Sequence, residues 1–322
     1  MEYRKLGKNG PSVSSLGLGC MRMSGVAGRR PSSGPDGDQE SIATIRAALD
    51  AGINLLDTGD FYGMGHNELL VSKAIEGRRD QAFLSVKFGA QRSPSGAFLG
   101  ADLRANSVKN FAAYSLQRLN VDVIDLYQPG RLDPSIPVEE TIGAIADLIH
   151  DGKVRFLGLS EVSAEQLRKA HRVHPVAALQ IEYSLASRFI EREILPTARE
   201  LGIAIVAYNV TAQGLLTGGL SESSAFGKAN LRQNLQTVST LDVMAKAKGC
   251  TPTQLSIVWL LLRGDDVVPI VGMSRRSRLP ENLAAIDIRL NADELALLDR
   301  AFTPGAIVGQ RGSADLKHLS PR

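Results

Sequence analysis

Eight short apolar runs, separated by longer stretches of helical periodicity, limit what this chain can fold into. The runs are Ser15–Gly19, Ile53–Asp57, Phe83–Lys87, Val123–Tyr127, Val154–Ser160, Ala177–Gln180, Ile203–Ala207 and Val267–Val271. Several of them lack polar alternation, as expected of strands that helices cover on both faces. Short runs that alternate with helical patterns are typical of βαβ units and of a parallel sheet.

The stretches between the runs carry apolar residues at three- and four-residue spacing, which predicts amphipathic helices. The clearest are Glu40–Ala51, Leu103–Leu119, Glu139–His150 and Ala164–Val173. Eight βα units close a barrel, and a typical barrel of about 250 residues, with insertions, reaches the length of this chain, 322 residues. No linker divides the sequence, so we predict an α/β fold with a single (β/α)₈ TIM barrel domain over residues 1–322.

Three segments fall outside the repeat and are predicted to be loops. They are Gly25–Asp38, which is rich in Gly, Ser, Pro and Arg, then Asn209–Arg232, and the tail from Thr303. The first two follow the carboxyl ends of predicted strands, where barrel enzymes build their active sites, and we expect the tail to cover the same face. Long surface loops are also tolerated without a function, so position alone leaves both interpretations open.

The charge balance and the cysteine content exclude several classes of protein. The 37 basic and 34 acidic residues give a formal net charge of +3, which indicates no nucleic-acid partner but suits an anionic small ligand. No apolar run approaches the roughly 20 residues of a membrane-spanning helix, and no signal-peptide segment follows Met1–Lys5. Cys20 and Cys250 give neither a disulfide framework nor a metal site. We therefore expect a soluble cytoplasmic protein without a membrane partner.

Three short motifs that suggest other chemistries are incomplete. Gly17-Leu18-Gly19-Cys20-Met21-Arg22 lacks the third glycine of a dinucleotide fingerprint, and no helical pattern follows it immediately. Gly158-Leu159-Ser160-Glu161-Val162 lacks the final glycine of a nucleophile elbow. His171 and His174 share a helical face at metal-ligand spacing, but no carboxylate or cysteine pattern accompanies them. We predict no Rossmann unit, no serine hydrolase site and no metal site.

The ends of the second and third predicted strands bring together an acid, a phenol and an amine. Asp57-Thr58-Gly59-Asp60-Phe61-Tyr62-Gly63 follows the second strand, and Ser85-Val86-Lys87-Phe88-Gly89 closes the third. Alone, an Asp or a Lys after a strand is usually a capping or solvated residue. Together, Asp57, Tyr62 and Lys87 form a catalytic unit, because the ammonium lowers the pKa of the phenol from about 10 while Asp57 holds the ammonium. Such a unit can protonate an oxygen that develops negative charge, as carbonyl reduction by hydride transfer requires.

These residues resemble the aldo-keto reductase family. The stretch Asp57–Gly63, continuing through Gly65-His66-Asn67-Glu68, is similar to the family's first signature, and Lys87 matches its catalytic lysine. Further matches follow in order along nearly the whole chain: Asp125-Leu126-Tyr127-Gln128, Gly158-Leu159-Ser160-Glu161 and Gln180-Ile181-Glu182-Tyr183-Ser184. The resemblance implies a (β/α)₈ barrel that binds NADPH in an extended form and reduces aldehydes or ketones to alcohols, with Tyr62 as the general acid.

The sequence departs from the family pattern at one catalytic position. The family's strand-four segment usually continues to a histidine before Arg-x-Asp-Pro, whereas here Pro129-Gly130 precede Arg131-Leu132-Asp133-Pro134. Gly130 thus stands where the histidine that orients the carbonyl is expected. By this resemblance Gly130 and Arg131 line the substrate pocket, and Tyr62 is left as the sole obvious acid. We expect an enlarged pocket, with a bulkier or differently oriented substrate or a slower reaction.

An arginine-rich segment after the last predicted strand indicates an anionic ligand. The sequence Gly272-Met273-Ser274-Arg275-Arg276-Ser277-Arg278-Leu279-Pro280-Glu281-Asn282 places three arginines next to Pro280, which suits only the first turn of a helix. Cations are unfavourable at the positive end of a helix dipole, so an anion is the expected partner, although a solvated basic face would also explain the segment. The segment is similar to the family's site for the 2′-phosphate and adenine, which favours NADPH over NADH.

By the same resemblance, residues at the carboxyl ends of the strands bind the cofactor. Ser160 and Gln180 would contact the nicotinamide carboxamide and Tyr208 would stack on its ring, although barrel-rim packing equally explains Tyr208. The predicted cofactor-binding residues are Gly19, Met21, Arg22, Asp57, Ser160, Gln180, Tyr208, Gly214, Leu215, Gly272, Ser274, Arg278, Glu281 and Asn282. The loop after Tyr208 departs from the family's usual Ser-Pro-Leu-Gly-x-Gly-rich loop, so individual pyrophosphate contacts do not transfer.

Two other functions fit the same residues. Some relatives of the family bind the nucleotide in the barrel while signalling to a partner. Because Gly130 replaces the catalytic histidine, a regulatory NADP(H)-binding protein remains an alternative. Other relatives accept pyridoxal, and the loops that set specificity are the least regular parts of the sequence. We therefore expect a small carbonyl substrate of unspecified identity, and the sequence leaves the oligomeric state open.

Overall fold

The computed structural model describes residues 1–8, 10–24, 34–217 and 230–309. The strands of this part are β1 Tyr3–Lys5, β2 Ser12–Ser14, β3 Gly17–Gly19, β4 Leu55–Gly59, β5 Phe83–Phe88, β6 Ala90–Arg92, β7 Phe98–Ala101, β8 Ile124–Pro129, β9 Val154–Ser160, β10 Val176–Glu182, β11 Ala204–Tyr208 and β12 Val267–Gly272. Eight of them close into a barrel in the order β3, β4, β5, β8, β9, β10, β11, β12 and back to β3. Every neighbouring pair in the barrel is parallel.

Helices surround the barrel. They are α1 Gly34–Asp50, α2 His66–Ile75, α3 Ala105–Leu119, α4 Val138–His150, α5 Ala164–Val173, α6 Ile194–Leu201, α7 Leu231–Lys248, α8 Pro252–Leu261, α9 Leu279–Ala284 and α10 Ala292–Ala301. Outward strand residues such as Leu56, Leu84 and Val86 are fully buried beneath this layer. The strands are therefore apolar on both faces, which explains why their sequences show no polar alternation.

The structure confirms the predicted (β/α)₈ barrel. Each of the eight predicted runs overlaps one barrel strand, and Val154–Ser160 and Ala164–Val173 have the predicted bounds. The glycine cluster that begins at Gly17 forms the barrel strand β3. The other strand ends coincide with the prediction or differ from it by one or two residues, because strand ends depend on the register with neighbouring strands.

The three predicted loops are only partly described. Within Gly25–Asp38, residues 25–33 lie outside the described residues, and the prediction is wrong for 34–38, which form the start of α1. Within Asn209–Arg232, residues 218–229 lie outside the described part, Ala212–Thr217 is a short 3₁₀ segment, and α7 already begins at Leu231. In the tail, residues 303–309 have no regular structure and 310–322 are not described. Val308 exchanges two hydrogen bonds with the side chain of Asn234 on α7.

The structure contains two antiparallel hairpins that the sequence patterns do not predict. Strands β6 and β7 pair after β5, and strands β1 and β2 pair at the amino end of the chain. The β1–β2 hairpin covers the end of the barrel where the strands begin, with Leu6 and Val13 buried against interior residues such as Leu55 and Phe83. Gly7 in its turn has φ +77°, and a Cβ there would lie 2.8 Å from the carbonyl oxygen of Ala177. Only glycine therefore lets this hairpin dock so closely.

The barrel interior is layered along the strand direction. Side chains two residues apart on a strand share a face, so each inward strand position has a successor one layer higher. The lower layer is apolar and includes Leu55, Phe83, Leu126, Ala178 and Val206. Two to four residues further along the same strands come Asp57, Lys87, Gln128, Gln180 and Tyr208. Polar groups thus gather at the carboxyl ends of the strands, above an apolar floor.

Candidate active site

Asp57 on β4 and Lys87 on β5 form a buried ion pair. The Lys87 Nζ atom lies 2.6 Å from both carboxylate oxygens of Asp57, and both residues are less than 5% exposed. Burial lowers the pKa of Lys87 below its usual value, while the Asp57 carboxylate opposes this effect. The register of β4 and β5 places Gly59 opposite Lys87, and this register brings the side chains of Asp57 and Lys87 together.

Asp57 is held by further polar groups of the barrel interior. Its Oδ1 atom accepts hydrogen bonds from Gln180 Nε2 at 2.6 Å and from Ser85 Oγ at 3.1 Å. Ser85 in turn accepts from Gln128 Nε2 at 2.9 Å. Ser85 and Gln128 were not predicted as site residues. The two-residue period that puts Ser85 on the same face as Lys87 is the signal that could have found Ser85.

Tyr62 reaches this ion pair from a tight turn after β4. The turn Tyr62–Gly65 is a 3₁₀ segment in which Gly63 and Met64 have positive φ angles of 58° and 56°. The Tyr62 ring is almost completely buried, and Lys87 Nζ lies 5.1 Å from its centroid. Asn67, just beyond the turn, accepts from Thr58 Oγ1 at 2.6 Å and donates to the Cys20 carbonyl at 2.9 Å. These bonds tie the turn to the rim of the barrel.

The pKa of the Tyr62 hydroxyl lies well above its usual value near 10. Burial is the main cause, the negative charge of Asp57 adds to it, and the Arg131 guanidinium opposes both. We expected the Lys87 ammonium to lower this pKa, whereas in the structure burial outweighs the opposing charge of Arg131 and the pKa is raised. The hydroxyl stays protonated at neutral pH, which is the form that a general acid needs.

The space beside Gly130 is not open, contrary to the expected enlargement of the pocket. A Cβ atom at this position would lie 3.1 Å from Cε1 and 3.3 Å from Cζ of Phe61. Phe61 also packs edge-on against Tyr62, with the ring centroids 4.9 Å apart. The absence of a side chain at residue 130 is therefore matched by the Phe61 ring next to it.

Arg131 extends from the end of β8 to the end of β9. Its Nη1 atom donates to the Gly130 carbonyl at 2.6 Å and approaches Ser160 Oγ at 3.4 Å. Its Nε atom is buried and has no hydrogen-bond partner among the described residues. Burial raises the pKa values of Tyr62 and Tyr208, and the positive charge of Arg131 opposes this rise. The structure thus brings both predicted pocket residues, Gly130 and Arg131, to the site of the ion pair.

Several predicted cofactor residues lie together at the carboxyl ends of the paired strands β3 and β12, a region that we call the β3–β12 rim. Gly19 and Gly272 are register partners, and the Arg22 side chain passes 3.9 Å from the Cβ position of Gly272. Met21, Arg22 and Ser274 are exposed on the same rim. The two glycines leave the strand backbone bare, so an extended ligand can lie directly on it.

The arginines after β12 have different partners. As predicted, Pro280 lies in the first turn of a helix, α9. Arg276 turns away toward α1 and pairs with Glu40 at 2.9 Å, whereas Arg278 pairs with Glu281 at 3.1 Å and stays exposed. In the described part of the chain, Arg275 has no carboxylate partner. Asn282 is almost completely buried behind this segment.

The end of β11 carries Tyr208 beside a pair of buried acids. The Tyr208 hydroxyl bonds to Glu161, and Glu161 Oε1 accepts from the backbone N–H of Glu182 at 2.7 Å. Beyond it, Gly214 has φ +97° and open space at its Cβ position, whereas the Leu215 side chain is buried in the core. Because its side chain is buried, Leu215 could contact a ligand only through its backbone.

The histidines and the helices can also be compared with the motifs of the sequence. Across the described ranges, no three His, Cys, Asp or Glu side chains lie together as a metal site would require. The His171 ring instead accepts from the Val176 backbone N–H at 3.2 Å. None of the helices described is long and apolar enough to span a membrane.

Comparison with known proteins gives one consistent family. The model of the Aldo/keto reductase family matches residues 15–302. A probable aldo-keto reductase 1 from Glycine max is 37% identical over 98% of this chain and 93% of its own length. A glycerol dehydrogenase from Gluconobacter oxydans has a TM-score of 0.83 at 27% identity, covering 97% of both chains. An aldo-keto reductase from Klebsiella pneumoniae, solved in complex with NADPH, has a TM-score of 0.77 at 28% identity, covering 94% of this chain and 96% of its own.

Proposed function

Because the chain belongs to the aldo/keto reductase family, we propose that it reduces an aldehyde or ketone with NADPH and that Tyr62 protonates the carbonyl oxygen. The observation that carries this proposal is the buried unit of Asp57, Lys87 and Tyr62 at the carboxyl ends of β4 and β5. In barrel enzymes this face of the strands holds the chemistry.

The β3–β12 rim is suited to an extended dinucleotide phosphate. The bare backbone at Gly19 and Gly272 would carry the pyrophosphate region, with Met21 and Arg22 alongside. Arg275, Arg278 and Ser274 would face the 2′-phosphate, since two exposed guanidinium groups there can neutralise a dianion. A Klebsiella relative binds NADPH, which supports this choice of cofactor. When bound, NADPH supplies the hydride that reduces the carbonyl carbon.

The side chains of the unit divide the proton chemistry between them. The Tyr62 hydroxyl donates its proton to the carbonyl oxygen as the π electrons of the C=O bond move onto that oxygen. The resulting phenolate lies beside the Lys87 ammonium, which favours it electrostatically. Asp57 keeps Lys87 charged and in place. The balanced reaction converts a carbonyl compound, NADPH and a proton into an alcohol and NADP⁺.

The test separates cofactor binding from turnover. NADPH and NADH are titrated by nicotinamide fluorescence, and NADPH consumption is then followed at 340 nm with aromatic aldehydes, methylglyoxal and pyridoxal. We expect preference for NADPH and consumption with at least one carbonyl. Tyr62→Phe should bind NADPH like the wild type while losing turnover by about 10²–10⁴-fold, because general acid catalysis contributes about that much.

The outcomes distinguish the alternatives. Wild-type turnover by Tyr62→Phe would disprove the role of Tyr62. Tight NADPH binding without consumption of any carbonyl would favour a regulatory nucleotide-binding protein. If the protein binds neither NADPH nor NADH, the assignment of the β3–β12 rim to the cofactor is overturned.

A further inference from the structure

Arg131 is a cation in the candidate site for which the described part of the chain provides no carboxylate. It donates to the Gly130 carbonyl at 2.6 Å and to the Ser160 hydroxyl at 3.4 Å, both of which are neutral. The partly buried Arg118 and Arg79, by contrast, pair with the buried acids Glu68 and Asp125. A partly buried charge without a counterion is costly, so this site favours an anion.

The position of the guanidinium places that anion next to the reacting carbonyl. Arg131 lies between the ends of β8 and β9, and its charge acts on Tyr62, Lys87 and Tyr208. Arg131 also donates to Gly130, Gly130 faces the Phe61 ring, and that ring packs against the proposed acid Tyr62. An anion held by Arg131 would therefore lie within the substrate pocket and away from the β3–β12 rim.

The donor arrangement selects the type of anion. Within the described residues both hydrogen bonds of this guanidinium come from Nη1 and the buried Nε atom has no partner, so the Nη2 group retains unused donors. A guanidinium presents a planar set of donors that matches a carboxylate in a bidentate geometry. At Gly130 no histidine competes for the substrate, and the Phe61 ring beside it provides an apolar surface for the substrate's carbon skeleton.

We propose that Arg131 is a specificity-determining residue that binds a carboxylate of the substrate, so that the preferred substrates are carbonyl compounds bearing a carboxylate. This inference rests on the proposed reductase function for the carbonyl group alone. The carboxylate site itself is a property of Arg131 and can be measured without turnover.

The binding experiment uses benzoate and its neutral analogue benzamide, titrated calorimetrically into the protein with and without NADP⁺. We expect the wild type to bind benzoate about 10–100-fold more tightly, since a hydrogen bond to a charged group contributes about 1.5–3 kcal/mol. Arg131→Met should lose this preference, and Arg131→Lys should recover part of it because it restores the charge without the planar donors. Arg172→Met removes the same charge from the exposed end of α5 and should leave the preference intact.

The kinetic experiment compares 2-, 3- and 4-formylbenzoate with their methyl esters, which have nearly the same shape and no charge. For at least one isomer, Arg131→Met should reduce kcat/KM of the acid about 10–100-fold, mainly through KM, and change the ester less than about twofold. Equal loss for acid and ester, or a wild type without preference for benzoate over benzamide, would overturn the inference. Retained benzoate preference with no turnover would instead refute the reductase function and leave the carboxylate site standing.

Discussion

Gly130 and Phe61 are coupled at the residue scale, because the Phe61 ring occupies the space that a side chain at residue 130 would need. Restoring the family's histidine by Gly130→His would push the Phe61 ring, since even the Cβ atom would approach it to 3.1 Å. The ring packs edge-on against Tyr62, so its displacement would disturb the proposed acid. We expect Gly130→His to lower kcat/KM for carbonyl reduction and to lower Tm.

The double variant Gly130→His with Phe61→Ala should be more active than the two single variants predict together. Residues in contact typically show a coupling energy on the order of 1 kcal/mol. A thermodynamic cycle on kcat/KM and on Tm measures it, with Gly130→Ala as the smaller change. A Gly130→His variant that is as active as the wild type with Phe61 present would show that the ring does not constrain this position.

At the scale of elements, helix α8 supports the segment that carries the arginines proposed to bind the cofactor. Thr251 caps α8 in a capping box with Gln254, and its hydroxyl also donates to Glu281 at 3.0 Å. The other carboxylate oxygen of Glu281 pairs with Arg278. A cap that normally stabilises only its own helix therefore also positions Glu281, next to the β3–β12 rim.

Thr251→Ala should cost about 1 kcal/mol of stability, as loss of a cap usually does, and weaken NADPH binding up to about fivefold through the lost hydrogen bond to Glu281. Asn291→Ala is the matched control, because Asn291 caps α10 in the same kind of capping box. Urea unfolding should show a similar loss for both variants, and NADPH fluorescence should show weaker binding only for Thr251→Ala. Equal weakening in both would trace the effect to stability alone.

At the scale of the whole molecule, local patterns predicted the barrel but not the contacts between distant elements. The strand Val154–Ser160 could be predicted because most of its residues are apolar, and the helix Ala164–Val173 because of the spacing of its apolar residues. The three-residue strands of the β1–β2 hairpin are too short to give a pattern. The strand ends indicated Asp57 and Lys87, but the fit of Phe61 against Gly130 arises only when the barrel closes.

One buried acid should make the stability of the whole protein sensitive to alkaline pH. Asp60 is 8% exposed, and its Oδ2 atom accepts from the Gly89 N–H at a long distance of 3.4 Å. The Phe61 backbone also donates to this carboxyl group, whose Oδ1 atom has no close partner among the described residues. Burial and the nearby Glu68 carboxylate raise the pKa of Asp60 to about 8, against the opposing charge of Arg118. In the unfolded chain the same carboxyl titrates near its usual value of about 4.

Between these two pKa values the folded protein holds a proton that the unfolded chain releases, so the free energy of unfolding falls as the pH rises toward 8. We expect a loss on the order of 2 kcal/mol between pH 6 and pH 9, because each pKa unit corresponds to about 1.4 kcal/mol. Asp60→Asn should remove most of this dependence in urea unfolding, since the amide remains neutral. Asp102→Asn is the control, because Arg104 lowers the pKa of Asp102 to about 2 and that group stays ionised throughout the range. A full pH dependence in Asp60→Asn would mean that Asp60 is already ionised in the folded protein at pH 6.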